Sequence, residues 1–266
     1  MNRFSKNKNR KLDALLRGYR RVLIAYSGGI DSSLILKKSV NVLGAENVKA
    51  LMIYNELFPE QDKKRAEVFA SGLGVELKIV DSGILFDEKF LSNSTERCFF
   101  CKDRVFALCR EEARKQKISY ICDGTNIDDA FSDRPGMKAA LIFRVKHPLR
   151  ICGFTKEDIR TAAKQENIEF WNVSSFSCFA TRVPHGSQIT LEKIEKIKKG
   201  ENILRNAGVE VFRLRLDAAG QKAKIVLGKN DLENFKTTEL LYECCYQLNE
   251  IGFESVAVDA VPYPFN

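Results

Sequence analysis

Residues 22–33 read Val-Leu-Ile-Ala-Tyr-Ser-Gly-Gly-Ile-Asp-Ser-Ser, and Leu34 to Leu43 carry on with the apolar spacing of a helix. An apolar strand, a glycine turn and a helix start, in that order, make a unit that can hold a phosphate chain. Gly28 and Gly29 let the backbone fold tightly, so that successive N–H groups and the positive end of the next helix point at one anion. Ser27, Ser32 and Ser33 add hydroxyl donors around it. The phosphate loop of kinases has a lysine beside its Ser or Thr that reaches the outer phosphates. Asp31 stands in that place here. A carboxylate beside phosphates is sensible when it holds Mg²⁺, because unscreened it would repel them.

Behind this unit the sequence alternates. Val48–Tyr54 predicts a second strand, Glu60–Gly72 a helix, Val75–Val80 a third strand, Lys102–Lys117 a helix, and Ile118–Cys122 a fourth strand that ends in Asp123-Gly124-Thr125-Asn126. Such alternation implies an α/β doubly wound parallel sheet with right-handed crossovers and ligands outside the carboxyl ends of the strands. Thr155, followed by Asp158, marks the start of a further helix to Asn167. From about Thr190 the pattern changes to a lysine-rich helix, a hairpin around Asp217–Gly220, a helix over Asp231–Ile251 and a last strand at Glu254–Ala260. We read residues 1–182 as the nucleotide-binding domain and 188–266 as a smaller α+β domain, joined at Val183-Pro-His-Gly-Ser187, where Pro and Gly break structure.

The chain has 266 residues, 44% of them hydrophobic, and no run approaches the roughly 18 apolar residues of a membrane span. The polar start lacks an apolar signal-peptide core, so a cytoplasmic protein with no membrane contact is expected. A net charge of +8 favours anionic partners such as nucleotides or pyrophosphate. Part of it comes from Arg3, Lys6, Lys8, Arg10 and Lys11, read as a solvated terminal segment. Eight cysteines in a reducing compartment argue against a disulfide framework and for chemistry at some of them.

Cys98 and Cys101 form Cys-Phe-Phe-Cys, a spacing that lets two thiolates reach one metal or cluster. Cys178 lies in Phe-Ser-Cys-Phe-Ala-Thr-Arg-Val-Pro-His-Gly, where neighbouring Arg182 would favour the thiolate. Cys109, Cys122, Cys152, Cys244 and Cys245 sit in apolar settings and read as small buried hydrophobes. Arg213 and Arg215, two apart on a predicted strand, share a face opposite Phe212, Leu214 and Leu216 and suit a phosphate. His147 and His185, each beside a proline, read as structural or solvated.

The loop at 27–32 resembles the PP-loop of the ATP pyrophosphatase superfamily, with the adenine nucleotide alpha hydrolase-like fold. Together with Arg-Cys-Phe-Phe-Cys-Lys at 97–102, Asp-Gly-Thr-Asn-Ile-Asp-Asp at 123–129, Asp-Arg-Pro-Gly-Met-Lys at 133–138 and Cys-Phe-Ala-Thr-Arg-Val-Pro-His-Gly at 178–186, it makes the chain similar to the LarE family over nearly its whole length. That resemblance implies an ATP-dependent sulfur transferase of nickel-pincer nucleotide cofactor synthesis. Such an enzyme releases AMP and pyrophosphate, adenylates a carboxylate of a pyridinium biscarboxylic acid mononucleotide and replaces oxygen with sulfur. By the same resemblance Ser27, Gly28, Gly29, Asp31, Ser32 and Ser33 would bind ATP and pyrophosphate, with Mg²⁺ on Asp31. Cys98, Cys101 and Cys178 would hold a 4Fe-4S cluster with one iron free for sulfide, and Arg213, Arg215, Arg182 and Glu201 would receive the acceptor phosphate. The partners implied are a small nucleotide acceptor, sulfide or another sulfur donor, and further copies of the chain in a homo-oligomer. His185 stands where the family often has Tyr.

Three other readings share the loop. A tRNA thiolase of the same class would need an RNA-binding surface, and no aromatic and basic interleaving is visible for one. An NAD or GMP synthetase leaves Cys98, Cys101 and Cys178 without a role. A non-catalytic nucleotide-binding module would hold ATP without turning it over.

Overall fold

The computed structural model describes residues 3–129, 135–173, 177–235 and 239–262. In chain order the elements are α1 (Arg3–Tyr19), β1 (Val22–Ala25), α2 (Ile30–Leu43), β2 (Val48–Ile53), α3 (Glu60–Gly72), β3 (Leu77–Val80), α4 (Glu88–Leu91), α5 (Arg97–Lys115), β4 (Tyr120–Cys122), α6 (Pro135–Ile142), α7 (Pro148–Ile151), α8 (Lys156–Gln165), α9 (Leu191–Asn206), β5 (Phe212–Leu216), β6 (Lys222–Leu227), α10 (Lys229–Phe235), α11 (Glu239–Glu250) and β7 (Ser255–Val258). They fall into two compact units, one within Met1–Ile84 and Glu96–Phe176, the other within Leu85–Thr95 and Ser177–Asn266. No helix among the described residues is long and apolar enough to cross a membrane.

The first unit is a parallel sheet in the order β3-β2-β1-β4, with Val22 opposite Val48 on one side and Tyr120 on the other. Helices cover both faces. Val22 and Ile24 point into a core shared with Leu34, Ile35, Ala66, Ile159 and Ala163 of α2, α3 and α8, while Leu23 packs with Phe106, Cys109 and Ala139 of α5 and α6. Alternate residues of one strand thus feed two cores, which explains why Val-Leu-Ile-Ala is apolar throughout. The direction of winding reverses between β1 and β4, so the loops after these strands meet at the switch point where α/β sheets take their ligands.

Two expectations change. The basic N-terminal stretch is not a solvated tail: its residues from Arg3 form α1, whose Leu12 and Leu16 are fully buried in the first core, and Lys8 pairs with Asp158. Apolar positions four apart under a lysine-rich surface gave the helix its buried stripe. The helices predicted from Leu34 and Lys102 begin earlier, at Ile30 and Arg97, because no Pro or Gly interrupts either stretch. Thr155 caps α8 in a capping box with Asp158, as its spacing predicted.

In the second unit β5 pairs antiparallel with β6 and β6 parallel with β7. Leu214, Leu216, Ile225 and Leu227 turn to the buried side, where α9 supplies Ile194, Ile197 and Leu204 and α11 supplies Leu248. The helix predicted over Asp231–Ile251 is two helices, α10 and α11. The loop Val183–Ser187 lies inside this unit and is sutured to the segment before α5. Asn93, fully buried and in the left-handed region at φ 55°, donates through Nδ2 to the carbonyls of Pro184 and Ser187 at 2.8 Å each, and accepts at its own carbonyl from Gly186 N–H.

Candidate active site

The loop after β1 has the geometry of an anion cradle. Gly28 sits at φ +74°, and a Cβ there would stand 3.1 Å from both the Ala66 Cβ and the Asp62 carbonyl, so only glycine fits between the loop and α3. Gly29 precedes α2 in extended conformation, and no side chain caps the helix. Its first-turn N–H groups are therefore left to an anion. Ser27 Oγ and Ser32 Oγ lie 3.0 Å apart, and Ser32 Oγ donates to the Gly29 carbonyl, which fixes the turn. Ser33 faces the other way: it is fully buried and its hydroxyl lies 3.0 Å from the Tyr26 hydroxyl.

The loop after β4 lies directly on this turn. A Cβ on Gly124 would come within 2.6 Å of Ser32 N and 2.8 Å of the Asp31 carbonyl carbon, so the close approach depends on glycine. Asn126 Nδ2 reaches Asp31 Oδ2 at 3.5 Å, and Asn126 N–H donates to Asp129 Oδ2 at 3.1 Å. Burial pushes the Asp31 carboxyl up to about 6, and the charge of Asp129 adds to the rise, against the pull of Lys156 and Arg160 and the hydrogen bond from Asn126. Two acids flanking one asparagine at the mouth of a phosphate loop suit a divalent cation. Sequence reasoning singled out Asp31 alone. Asp129 and Asn126 stood in the quoted 123–129 motif, and their signal was its repeated acid. Asp123 holds this loop in place. It accepts from Thr125 N and Oγ1 at 3.0 and 2.9 Å and lies 2.7 Å from His147 Nδ1. Burial would raise its carboxyl, but the hydrogen bond and charge of His147, the charge of Lys102 and the Thr125 N–H together outweigh burial and hold it below the usual carboxylate range. His147 thus has a structural place, as its sequence context implied. Asp133 and Arg134 of the quoted motif lie outside the described residues.

Cys98 and Cys101 occupy the first turn of α5, three apart and so on one side of the helix; Cys98 is exposed and Cys101 half-buried. Cys109, further along the same helix, is buried, and burial pushes its thiol up to about 12. The accessible pair therefore differs in kind from the core cysteine. Two thiols one helical turn apart suit a soft metal or a cluster. Among the described residues no group of three or more His, Cys, Asp or Glu side chains is gathered to hold a metal ion.

In the second unit, Cys178 is half-buried and begins the short helical turn Phe179–Arg182. Arg182 is wholly buried and pairs through Nε with Glu201 Oε1 at 2.7 Å, the two side chains being 0% and 2% exposed. Nη2 donates to Glu201 Oε2 at 3.3 Å, and Nη1 donates to the Ser177 and Cys178 carbonyls and to the Thr181 hydroxyl. Glu201 also accepts from Leu214 N of β5 at 3.2 Å. One buried pair thus ties the loop of Cys178 to the strand of Arg213 and Arg215. Those two arginines lie on the open face of the sheet as their spacing predicted, with Arg215 opposite Lys224 and Lys222 further along β6. Cations directly across a sheet repel, so the face favours an anion. Lys224 escaped the sequence reading because it becomes a neighbour only through the β5–β6 register.

The comparisons with known proteins bear on both units. The NAD synthase family model matches residues 12–97, which span the loop. The chain is 28% identical over 252 residues to the pyridinium-3,5-bisthiocarboxylic acid mononucleotide synthase of Lactiplantibacillus plantarum, covering 95% of this chain and 90% of that one. It is 32% identical over 198 residues, 74% of either chain, to an uncharacterized protein of Methanocaldococcus jannaschii, and 29% identical over 243 residues, 91% and 90%, to one of Synechocystis. The chain is LarE-like over nearly its whole length. Matches to NAD synthetases span far less, such as 81 residues for the glutamine-dependent enzyme of Aquifex aeolicus, 30% of this chain. The LarE-like chain shares with them the phosphate loop, and it is an ATP-dependent enzyme.

Proposed function

We propose that the chain adenylates a carboxylate of pyridinium biscarboxylic acid mononucleotide with ATP and replaces the activated oxygen with sulfur, a step of nickel-pincer cofactor synthesis. The likeness to the bisthiocarboxylate synthase over 95% of the chain carries this reading, and the Asp31–Asn126–Asp129 arrangement supports its first half. A carboxylate is a poor electrophile because its oxygen leaves badly. Attack of that oxygen on the α-phosphorus of ATP breaks the bond to pyrophosphate and gives an acyl-adenylate. A sulfur nucleophile then adds at the acyl carbon, AMP leaves, and a thiocarboxylate remains.

The chain's own groups fit these steps. The N–H groups of Ile30 to Ser32 would receive the departing pyrophosphate, and Asp31 with Asp129 would hold the Mg²⁺ that screens it. Asn126 orients the Asp31 carboxylate. Arg213 and Arg215 receive the phosphate of the acceptor nucleotide, while the Arg182–Glu201 pair keeps the Cys178 loop in register with their strand. Cys98, Cys101 and Cys178 would be the ligands of a 4Fe-4S cluster, which when bound would supply a site for sulfide on the iron that no cysteine holds. The accessibility of the Cys98–Cys101 pair supports this over a sacrificial Cys178, which would leave the pair without use.

Anaerobic protein given ATP, sulfide and the acceptor should release AMP and pyrophosphate, carry iron and acid-labile sulfide, and lose both iron and transfer in each of Cys98→Ala, Cys101→Ala and Cys178→Ala. ADP as product refutes adenylation. A loss of mass equal to hydrogen sulfide at Cys178 after turnover of iron-loaded protein refutes the cluster reading alone.

A further inference from the structure

The first unit has a cavity of about 520 Å³ lined by residues of α2, α3 and the turn that follows α8, a volume within the usual range of small-molecule sites. Its aromatic end lies away from the phosphate loop, with Lys37 about two helical turns past the start of α2 and Phe69, Gly72 and Leu73 at the far end of α3, while Lys64 and Arg65 stand in the turn of α3 that meets Gly28. Its wall is aromatic, with Phe69 and Phe170 edge to face at 5.3 Å between ring centres. Its charge is one-sided, since Lys37, Lys64 and Arg65 line it against the single acid Glu169.

These cations are only lightly engaged. Lys64 meets Glu60 at 3.2 Å between side chains 69% and 68% exposed, a pair of little strength. Lys37 has no ion-pair partner among the described residues. Arg65 pairs with Asp62 through Nη2 and lies over the Phe170 ring at 5.3 Å, yet its Nε is buried with no acceptor among the described residues. The buried Nε lies out of a ligand's reach, so a planar carboxylate would meet the Nη edge of the guanidinium beside the Phe170 ring. Nothing in the adenylation chemistry calls on these residues.

We propose that this cavity binds a small aryl carboxylate, its ring against Phe69 and Phe170 and its carboxylate among Lys37, Lys64 and Arg65. The molecule supplies its own controls. Trp171, the sole tryptophan, follows Phe170 and reports by fluorescence. Gly72 can be enlarged, because a Cβ there meets nothing within 4 Å and its backbone does not require glycine.

The probe is 4-iodobenzoate, with 4-iodobenzamide and 4-iodobenzylamine as neutral and cationic counterparts. Expected is saturable quenching of Trp171 by the carboxylate with a Kd of about 1 mM, the range of so small a ligand. The two counterparts should bind at least about tenfold more weakly. Lys37→Glu with Lys64→Glu should weaken the carboxylate about tenfold, and Gly72→Leu should abolish saturation, with ATP binding unchanged in both. Equal quenching by all three probes, no saturation up to about 20 mM, or undiminished saturable quenching in folded Gly72→Leu protein overturns the proposal and leaves the sulfur transferase reading untouched.

Discussion

The phosphate loop draws its anion-facing groups from one stretch, Ser27 to Ser32, and turns it at Gly28, where the backbone and the neighbouring α3 leave room only for glycine. The groups assigned to sulfur and acceptor come from Cys98, Cys101, Cys178, Arg213 and Arg215, on three separate elements. The first arrangement is local, so any chain that folds as strand, turn and helix forms it. The second needs long-range supports, and the Arg182–Glu201 pair, 19 positions apart, is one that the structure makes plain. Each region is therefore vulnerable at a different point: the loop at its charges, the second unit at its braces.

The largest effect is expected at the loop. Asp31→Ala should cut AMP and pyrophosphate release by more than about 10³-fold, because a metal-bridged contact to the departing phosphates is worth several kcal/mol. Circular dichroism should be unchanged. Activity near that of the parent protein would mean that Asp129 or another acid holds the metal, and the loop would no longer be the local device described above.

The brace comes next. Glu201→Gln leaves the Arg182 charge without its partner in a fully buried place, which should cost about 3–5 kcal/mol of stability in the second unit. Glu111→Gln, which breaks an exposed pair with Lys115 that solvent screens, should leave stability nearly unchanged. Urea unfolding monitored for both variants tests the contrast, and similar midpoints would show that Arg182 finds water or another acceptor when its partner is lost.

Arg213→Ala and Arg215→Ala should each weaken acceptor binding by about tenfold to a hundredfold, since a charge-assisted hydrogen bond is worth about 1.5–3 kcal/mol. ATP affinity should stay the same. Equal losses for both ligands, read by calorimetry, would break the division of labour between loop and sheet.

The difference between the regions also decides what the sequence could tell. The parallel sheet, the loop and the capping box at Thr155 were legible because each is a pattern within a dozen residues. The buried place of Arg182 was not, since an arginine two positions from a Pro-His-Gly turn looks solvated until α9 is laid against it. Lys224 became part of the basic face only through a strand register, and α1 was hidden because its lysines outnumber the two leucines that bury it. The cysteines were found by spacing, a local signal, but spacing could not say that Cys98 and Cys101 open a helix rather than a loop.

The smallest effect turns the comparison inward, to two aspartates about one loop apart. Asp31 has its folded value raised from 3.8 to about 6, chiefly by burial, so between about pH 4 and 6 the folded chain keeps a proton that the unfolded chain releases. Its contribution to stability is therefore present below about pH 4, falls as pH rises to about 6 and stays lost above. Asp31→Asn removes that loss and should stabilise the nucleotide-free protein at pH 7 by about 1–2 kcal/mol, a few degrees in Tm, with no gain at pH 4. Asp123, held low by His147 against its burial, has the opposite sign: it stabilises above the ordinary carboxylate range and loses that support as pH falls, so Asp123→Asn should destabilise at pH 7. Melting curves at pH 4 and 7 for the two variants decide the matter. A destabilised Asp31→Asn at pH 7 would mean that its carboxylate is stabilised in the folded chain without a cation, and that the acid was placed for structure before it was placed for Mg²⁺.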